Sequence, residues 1–180
     1  MNLSNFKNLK TKRLVFINTS IEDVDLIYAL RSSTIVRKHI MQPLFTKQEE
    51  AIAHVNKLEQ YLNENKSISW TLINKISNKK LGTICLWNFS EDRKTAEVGY
   101  DLLPQYFRKG YMSEALQAVI KLGFKELNLN TIEAFTHLEN ESSKKLLVSN
   151  KFTLQVERKD PGFPMNSIYS LDKLKTTHKK

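Results

Sequence analysis

Residues 95–116, TAEVGYDLLPQYFRKGYMSEAL, decide the fold class because they lead from a strand through a basic loop into a helix. Apolar and β-branched residues predict the strand over residues 95–103, and Pro104 ends it. An apolar stripe at helical spacing begins at Met112. Since another strand is predicted over residues 131–138, the segment is a βαβ unit with parallel strands and a right-handed crossover.

The rest of the chain extends this unit into a mixed sheet. Further strands are predicted, from runs of β-branched and aromatic residues, over residues 13–18, 67–76, 81–89, 152–158 and 167–171. Helices are expected after Ser20 and after the cap Asn140, and a capping box of Thr46 and Glu49 starts another. The order β-α-α-β-β-β-α-β-α-β-β predicts an α/β (α+β) fold with one mixed sheet and helices on both faces.

The length of the chain predicts its domain organisation, and its charge limits the classes of partner that are expected. The 180 residues fit a single domain over residues 1–180, with residues 173–180 as a flexible basic tail. The formal net charge is +9, and four of the lysines lie in that tail. A positive surface attracts nucleic acid, acidic protein or a polyphosphate, but it also serves solubility, which is the first interpretation of the tail. No RNA-binding signature with interleaved aromatic residues is present, so nucleic acid is not an expected partner.

Cysteine usage and hydropathy predict a cytoplasmic protein with no membrane partner. Cys85 is the only cysteine, which excludes an intrachain disulfide and fits a reducing compartment. Apolar runs are too short to cross a bilayer, and residues 1–14 lack the apolar core of a secretory signal. We expect Cys85 to be a packing residue. No metal is expected, because no metal-ligand spacing relates the four histidines, His39, His54, His137 and His178.

The loop from Gln105 to Gly110 is the first candidate binding site. The first turn of the helix that follows has free N–H groups and the positive end of the helix dipole. Gly110 allows close backbone approach, and Arg108 and Lys109 add charge, so the loop is suited to a phosphate. Taken alone, the loop is equally typical of a solvated basic connection, and that alternative is the simpler one.

Other polar residues are candidates for chemistry. Alternation puts Glu97 and Gly99 on one face of their strand, and partial burial of Glu97 would raise its pKa and suit it as a base. An exposed strand carboxylate is the alternative, and Gly99 marks a bulge or a close ligand approach. The pattern Asn140-x-x-Ser143 is by itself a helix cap. Tyr169, in the last strand, has a proton to donate, although a strand tyrosine is more often part of the core.

Together these segments resemble the GNAT acetyltransferase superfamily, and most closely its branch of ribosomal-protein N-terminal (alanine/serine) acetyltransferases. The resemblance covers nearly the whole chain. It is carried by TKRLVFINTSIEDVD (residues 11–25), LGTICLW (81–87), TAEVGYDLLPQYFRKGYMSEAL (95–116) and TIEAFTHLENESSKKLLVSNKF (131–152). The family's cofactor loop, Gln/Arg-x-x-Gly-x-Gly/Ala, falls on Gln105, Arg108 and Gly110. Arg108 therefore stands where the family has its first glycine.

The resemblance implies an acetyl-CoA-dependent N-acetyltransferase that uses acetyl-CoA as co-substrate and no metal. Transfer would be direct, in a ternary complex, to a primary amine. The pKa of an α-amino group is lower than that of lysine, which favours N-terminal or small amine acceptors, a protein N-terminus among them. The sheet would splay between the fourth and fifth predicted strands, and the N–H of Leu102 would polarise the thioester carbonyl. The residues implied to contact the cofactor are Leu102, Leu103, Gln105, Arg108, Lys109, Gly110, Tyr111, Met112, Ser113 and Asn140.

The resemblance also implies catalytic roles. Glu97 matches the strand carboxylate of the branch and is the candidate base, and Ser143 resembles the branch's hydroxyl near the leaving sulfur. Many GNAT enzymes carry an acid tyrosine in the helix after the Asn-x-x-Ser turn, where this chain has Leu147. Ser143, Tyr169 or water would therefore protonate the thiolate. At a positive φ, Arg108 would be strained, and it would weaken cofactor binding or add a phosphate contact. We expect binding to be retained.

Other functions stay open at this point. A non-catalytic GNAT-fold module that binds acyl-CoA or docks a partner is one alternative, and a basic RNA- or ribosome-associated protein is another. The acceptor is expected to be set by the two N-terminal helices and residues 159–166. A ribosomal protein, another peptide N-terminus, a polyamine and an amino-sugar antibiotic all fit the sequence, and so does a homodimer.

Overall fold

The computed structural model describes residues 2–6 and 8–173 of the chain. In this part of the chain eight strands form one sheet: β1 (Asn8–Lys10), β2 (Leu14–Asn18), β3 (Ile68–Asn74), β4 (Lys80–Trp87), β5 (Thr95–Leu102), β6 (Thr131–His137), β7 (Thr153–Leu154) and β8 (Asn166–Asp172). The α-helices are α1 (Val24–Arg31), α2 (Gln48–Asn63), α3 (Tyr111–Lys125) and α4 (Glu141–Ser149). The expected mixed α/β fold is confirmed. Residues 174–180 of the predicted tail lie outside the described residues.

The sheet has the strand order β1-β2-β3-β4-β5-β6-β8-β7. Strands β5 and β6 are parallel, and the other neighbouring strands are antiparallel. Helix α3 connects β5 to β6, so the predicted βαβ unit is confirmed. Across the described residues, no helix combines the length and the apolar character that crossing a membrane requires.

The main core lies between α3 and one face of the sheet. Strand β6 illustrates the pattern, because half-buried and buried residues alternate along it, with Ile132 and Ala134 buried. Trp70 of β3 is fully buried in the same apolar cluster. Helix α3 adds a stripe of buried residues at helical spacing, Met112, Ala115, Leu116, Val119 and Leu122. Helices α1 and α2 form a smaller cluster of their own, Ile27, Ala51 and Val55.

The parallel strands β5 and β6 separate part of the way along. Their pairing ends at Glu97 opposite Glu133 after three residue pairs, although β5 continues to Leu102 and β6 to His137. These strands are the fourth and fifth of the predicted order, so the expected splay is confirmed. It leaves a gap in the middle of the sheet, flanked by backbone.

The two edges of the sheet differ from the sequence prediction. Strand β1 is not predicted, because Asn8–Lys10 is polar and short, and it forms only by pairing with β2. The predicted strand over residues 152–158 is limited to β7, which pairs with β8 through two residues. Beyond β7 the chain turns away from the sheet, Arg158 forms an ion pair with Glu133 of β6, and two prolines follow that cannot donate to a strand ladder.

The start of α2 lies one residue later than the predicted capping box. Lys47 is the N-cap, and the helix begins at Gln48. The carboxylate of Glu50, rather than that of Glu49, accepts the backbone N–H groups of Thr46 and Lys47, at 2.7 and 2.9 Å. Only the glutamate half of the box is therefore present, one residue later than predicted, because the ammonium group of Lys47 has no acceptor for a backbone N–H.

The bulge considered at Gly99 is absent from the β4–β5 pair, whose register is continuous with Cys85 opposite Gly99. Instead, the register shifts between Leu72 and Ile73 of β3. Gly99 has another role, because a Cβ at this position would lie 3.2 Å from Sγ of Cys85. The glycine thus accommodates the Cys85 side chain, which packs closely over it on the face of the sheet opposite the main core.

Candidate active site

Unpaired backbone groups line the gap between β5 and β6. Leu103 donates its N–H to the carbonyl of Leu81 at 2.9 Å, so odd-numbered residues of this strand point their backbone groups toward β4. By alternation, the N–H and C=O groups of Tyr100 and Leu102 point into the gap. An extended ligand can therefore pair with β5 as a further strand would, and Leu102 carries the N–H predicted to face the thioester. Leu103 cannot offer its N–H to a ligand in the gap, because that group already donates to the carbonyl of Leu81.

Glu97 lies where the two strands separate, and it borders a cleft of about 880 Å³. Burial raises the pKa of its carboxyl above the ordinary glutamate value, and a hydrogen bond from the side-chain amide of Asn88 opposes that shift. The negative charges of Glu133 and Asp160 raise the pKa further, whereas Arg158 lowers it. The carboxylate is thus half-buried, oriented and more basic than usual, which are the properties of a proton acceptor.

Ser143 lies in the first turn of α4 and also lines the cleft. Its backbone N–H donates to the side chain of the N-cap, Asn140, at 3.1 Å, as the sequence pattern predicts. Its hydroxyl lies 2.8 Å from the hydroxyl of Tyr100, within hydrogen-bond distance. Burial raises the pKa of Tyr100 to about 12, so this phenol keeps its proton at neutral pH. The pair forms a short hydroxyl relay at the cleft.

Tyr169 does not reach this relay. It is 5% exposed within the main core and lies opposite Ala134 of β6 and Leu154 of β7, and it is not among the described residues that line the cleft. Tyr100 takes the position beside Ser143 instead. Sequence reasoning missed Tyr100 because alternation assigns it to the core face of β5, and only the packing of α4 brings the serine to it.

The predicted cofactor loop has the backbone shape of an anion site. Arg108 has φ of 57° and Gly110 has φ of 74°, so two left-handed residues precede α3. The first turn bond of the helix runs from the N–H of Glu114 to the carbonyl of Gly110 at 3.1 Å. The N–H groups of residues 111–113 therefore precede the helical bonding pattern and can meet a ligand. The predicted strain at Arg108 is real, since a non-glycine residue there costs about 1 kcal/mol.

The side chains of this loop divide into two groups. Gln105, Arg108 and Lys109 are exposed, so they are accessible to a charged ligand. Met112 is 8% exposed and packs in the core, which leaves only its backbone to contact a cofactor. The hydroxyl of Ser113 accepts a hydrogen bond from the side-chain amide of Asn150, at 3.2 Å, at the end of α4.

Arg13 braces the loop from the start of β2. Its guanidinium donates to the carbonyl of Lys109 at 2.8 Å and to Glu114 at 2.6 Å, and it lies 4.4 Å from the ring centre of Tyr111. Glu114 also accepts the hydroxyl of Thr11 at 2.6 Å. The sequence offers no local signal for this network, because about a hundred residues separate its halves.

The loop and the gap together fit coenzyme A. A run of free N–H groups at a helix start, after two left-handed residues, suits a diphosphate. The unpaired backbone edge at Tyr100 and Leu102 suits the amide groups of a pantetheine arm. Both features belong to the same strand–loop–helix segment, so one extended molecule can contact them together.

Two further groups complete the cleft. Burial raises the pKa of Cys85 to about 12, which leaves it a neutral thiol and agrees with the predicted packing role. At the cleft mouth His39 stacks on His137 with ring centres 5.5 Å apart, and their ligand atoms lie within 4.8 Å of one another and of one from Glu139. Sequence spacing does not reveal this metal-type grouping, because the residues come from different elements. His178 lies outside the described residues.

Known proteins share both the sequence pattern and the fold. The family model of the acetyltransferase (GNAT) domain matches residues 13–153. The uncharacterized N-acetyltransferase p20 of Bacillus licheniformis is 33% identical over 146 residues, which are 81% of this chain and 82% of that protein. A GNAT-family acetyltransferase structure from Bacillus anthracis has 26% identity and a TM-score of 0.78, covering 92% of this chain and 98% of that one. The ribosomal L7/L12 α-N-protein acetyltransferase RimL, solved with coenzyme A, has 19% identity and a TM-score of 0.77, covering 90% and 95%.

Proposed function

Because the chain belongs to the acetyltransferase (GNAT) family, we propose that it transfers the acetyl group of acetyl-CoA to a free α-amino group, with both substrates bound at the same time. The family uses acetyl-CoA, and curated relatives are N-acetyltransferases. An α-amino group, with a pKa near 8, is deprotonated far more easily than lysine, whose pKa is about 10.4. The structural similarity to RimL, a ribosomal L7/L12 α-N-protein acetyltransferase, supports the same acceptor class and the ribosomal-protein branch.

The separation of β5 from β6 carries this proposal. Acetyl-CoA supplies the acyl group as a thioester, and the gap offers its pantetheine arm two unpaired backbone positions, Tyr100 and Leu102. The N–H of Leu102 would stabilise negative charge that develops on the thioester oxygen. Residues 108–113 would hold the diphosphate through backbone N–H groups, while Arg108 and Lys109 add charge. In this proposal residues 1–180 act as one acetyltransferase domain.

Glu97 is the proposed base. The attacking amine must be neutral, and the C–N bond forms as its nitrogen loses a proton to Glu97, directly or through water. The raised pKa of the carboxyl strengthens it as an acceptor, and the hydrogen bond from Asn88 fixes its orientation. Its position at the cleft, at the end of the β5–β6 pairing, supports this role.

Ser143 is the proposed proton donor to the leaving sulfur, with Tyr100 as the residue that positions its hydroxyl. As the C–S bond breaks, the serine proton passes to the thiolate, the phenol returns a proton to the serine, and the phenolate regains its proton from water. A strong acid is not needed, because a thiol has a reference pKa near 8.5. This relay would replace the tyrosine that is absent at Leu147, and it leaves Tyr169 to the core.

An amine panel tests the proposal. We expect acetyl-CoA to release thiol with short peptides that have a free α-amino group. We expect little release with the same peptides N-acetylated but carrying lysine, with a polyamine, or with an amino-sugar. A non-catalytic acyl-CoA-binding module, which the family assignment disfavours, would bind CoA in titration and release no thiol with any amine. Release with lysine peptides or polyamines alone would overturn the α-amino assignment.

A further inference from the structure

Two guanidinium groups meet on the wall of the cleft contributed by α1 and the loop after it. Arg31 and Arg37 both donate to the side-chain oxygen of Gln42, at 3.2 and 2.8 Å. All three residues line the same cleft as Glu97. Two like charges held on one neutral oxygen repel each other, and an anion beside them would relieve that repulsion.

The charge of Arg37 is poorly matched by its surroundings. It is 6% exposed, yet its Nε has no hydrogen-bond partner. Its ion pair with Asp101 spans 3.9 Å, whereas a structural arginine–carboxylate pair forms hydrogen bonds of about 2.8 Å. Burial also raises the pKa of Asp101, and the two arginines oppose that shift. Asp101 therefore neutralises part of the positive charge of the two arginines, but it does not satisfy their hydrogen-bond donors.

The remaining neighbour of the cluster is neutral. Arg31 lies 3.1 Å from Nε2 of His54. Burial, followed by the charges of Arg31, Arg37 and Lys57, lowers the pKa of His54 to about 4, so the ring adds no charge at neutral pH and accepts from the arginine. The two arginines and Asp101 leave a net positive charge on this wall of the cleft.

We propose that Arg31 and Arg37 form a carboxylate subsite for the acceptor, and that the enzyme prefers acceptors with a carboxylate near the reacting amine. This inference rests on the proposed function, because it assigns the second end of the molecule whose amine faces Glu97. A guanidinium pair suits a carboxylate, which accepts from both forks. The side-chain oxygen of Gln42 already accepts hydrogen bonds from both arginines, so it shows where an oxygen of the substrate carboxylate would bind.

Strand geometry sets the distance between the two ends of the acceptor. Asp101, beside the arginines, shares a face of β5 with Gly99 and Glu97. At strand spacing it lies about 7 Å from Gly99 and about 13 Å from Glu97. The amine and the carboxylate each stop about 3 Å short of their partners, so about 7 Å separates the two ends of the acceptor. An extended peptide spans about 3.5 Å per residue, which places the carboxylate on the second or third residue of a peptide acceptor. The carboxylate of a free amino acid is too close to its own amine to reach both ends.

Matched peptide amides provide the test. We expect Ala-Asp-Ala amide to exceed Ala-Asn-Ala amide in kcat/KM by about tenfold, the size of one charge-assisted hydrogen bond. Free alanine compared with alaninamide forms a second arm, in which we expect no gain from the carboxylate. If only free alanine showed a gain, the carboxylate would come from a free amino acid rather than from a peptide side chain. That result would overturn the spacing inferred above.

Variants separate the subsite from general attraction. Gln42→Glu sets a carboxylate of the same shape between the arginines, so we expect a higher Tm and loss of the Asp-over-Asn preference. Arg31→Gln should also lower the preference. Lys57→Gln is the matched control, because it removes a cleft cation that does not contact Gln42, and the preference should persist.

The outcomes distinguish this inference from the proposed function. Thiol release with both peptides at equal kcat/KM, or a preference that persists in Gln42→Glu, overturns the subsite and leaves the transferase proposal intact. Absence of release with every amine counts against the transferase proposal instead. Calorimetry with the N-acetylated Asp and Asn peptides then decides on the subsite by itself, since tighter binding of the Asp peptide supports it and equal binding overturns it.

Discussion

At the scale of single residues, the proposed role of Glu97 as base predicts how the reaction depends on pH. It is half-buried where β5 and β6 separate, and burial raises its pKa. Only the ionised carboxylate accepts a proton, so kcat/KM should fall as the pH falls through this raised pKa. We expect Glu97→Gln to lower kcat about a hundredfold and to remove this step from a pH–rate profile, which then keeps only the fall below about pH 8 that protonation of the amine causes.

Glu133→Gln is a matched control for this profile. It removes a negative charge that raises the pKa of Glu97 and frees Arg158, which lowers it. We therefore expect the step that belongs to Glu97 to move to lower pH while activity near neutrality is largely kept. Unchanged turnover in Glu97→Gln would remove Glu97 from the role of base.

The hydroxyl relay makes a separate prediction. Tyr100→Phe removes the partner of the Ser143 hydroxyl, so we expect kcat to fall about tenfold with the affinity for CoA unchanged, which steady-state kinetics and CoA titration would show. If the two residues act as a unit, the double variant with Ser143→Ala should be no slower than Ser143→Ala alone. Additive losses would mean that the tyrosine acts elsewhere.

Arg108 stores strain in the cofactor loop. Its φ of 57° is the left-handed region that favours glycine. Arg108→Gly and Arg108→Ala both remove the charge, but only the glycine fits the backbone, so we expect the Gly variant to unfold with about 1 kcal/mol more free energy than the Ala variant. Chemical denaturation measures the difference. Equal stabilities would show that this backbone is not strained.

At the scale of elements, Glu114 ties β2 to the start of α3. Burial would raise the pKa of its carboxyl, but hydrogen bonds from Thr11 and Arg13 lower it. A depressed folded-state pKa adds stability that is present above the unfolded value, near 4.3, and is lost as the pH falls through the folded value. We expect Glu114→Gln to lower the free energy of unfolding by about 1 kcal/mol at neutral pH and by less in acid. This value allows for solvent screening, because the Arg13 side chain is partly exposed.

Chemical denaturation at two pH values checks this prediction. Glu126→Gln, an exposed carboxylate just beyond the other end of α3, is the control and should change stability little. An equal loss of stability for Glu114→Gln at pH 7 and pH 3 would show that the ionised carboxylate of Glu114 does not stabilise the loop.

The sequence predicts well those helices and strands whose residues follow a local hydrophobic pattern. The βαβ unit follows from the apolar alternation of β5 and β6 and the helical stripe of α3, which are short-range signals. Strand β1 and the truncated β7 are set by pairing at the sheet edges, and no local pattern encodes them. The Tyr100–Ser143 contact and the Arg13 brace join distant segments, so spacing along the chain could not reveal them.

At the scale of the whole molecule, three separate candidate surfaces adjoin strand β5. The strand–loop–helix segment around Arg108 offers backbone donors for a diphosphate, and the divergence after Glu97 opens an unpaired strand edge. Helix α1 and its following loop add the arginine pair on the other side of the cleft. The resemblance to GNAT enzymes located the first two surfaces from sequence, whereas the third arises only from tertiary packing.

A crystal structure with bound CoA tests the central claim most directly. We expect the pantetheine arm to lie between β5 and β6 and to pair with the backbone of Tyr100 and Leu102, and the diphosphate to contact the N–H groups of residues 108–113. CoA bound elsewhere, or β5 and β6 paired beyond Glu97 so that no gap exists, would contradict it.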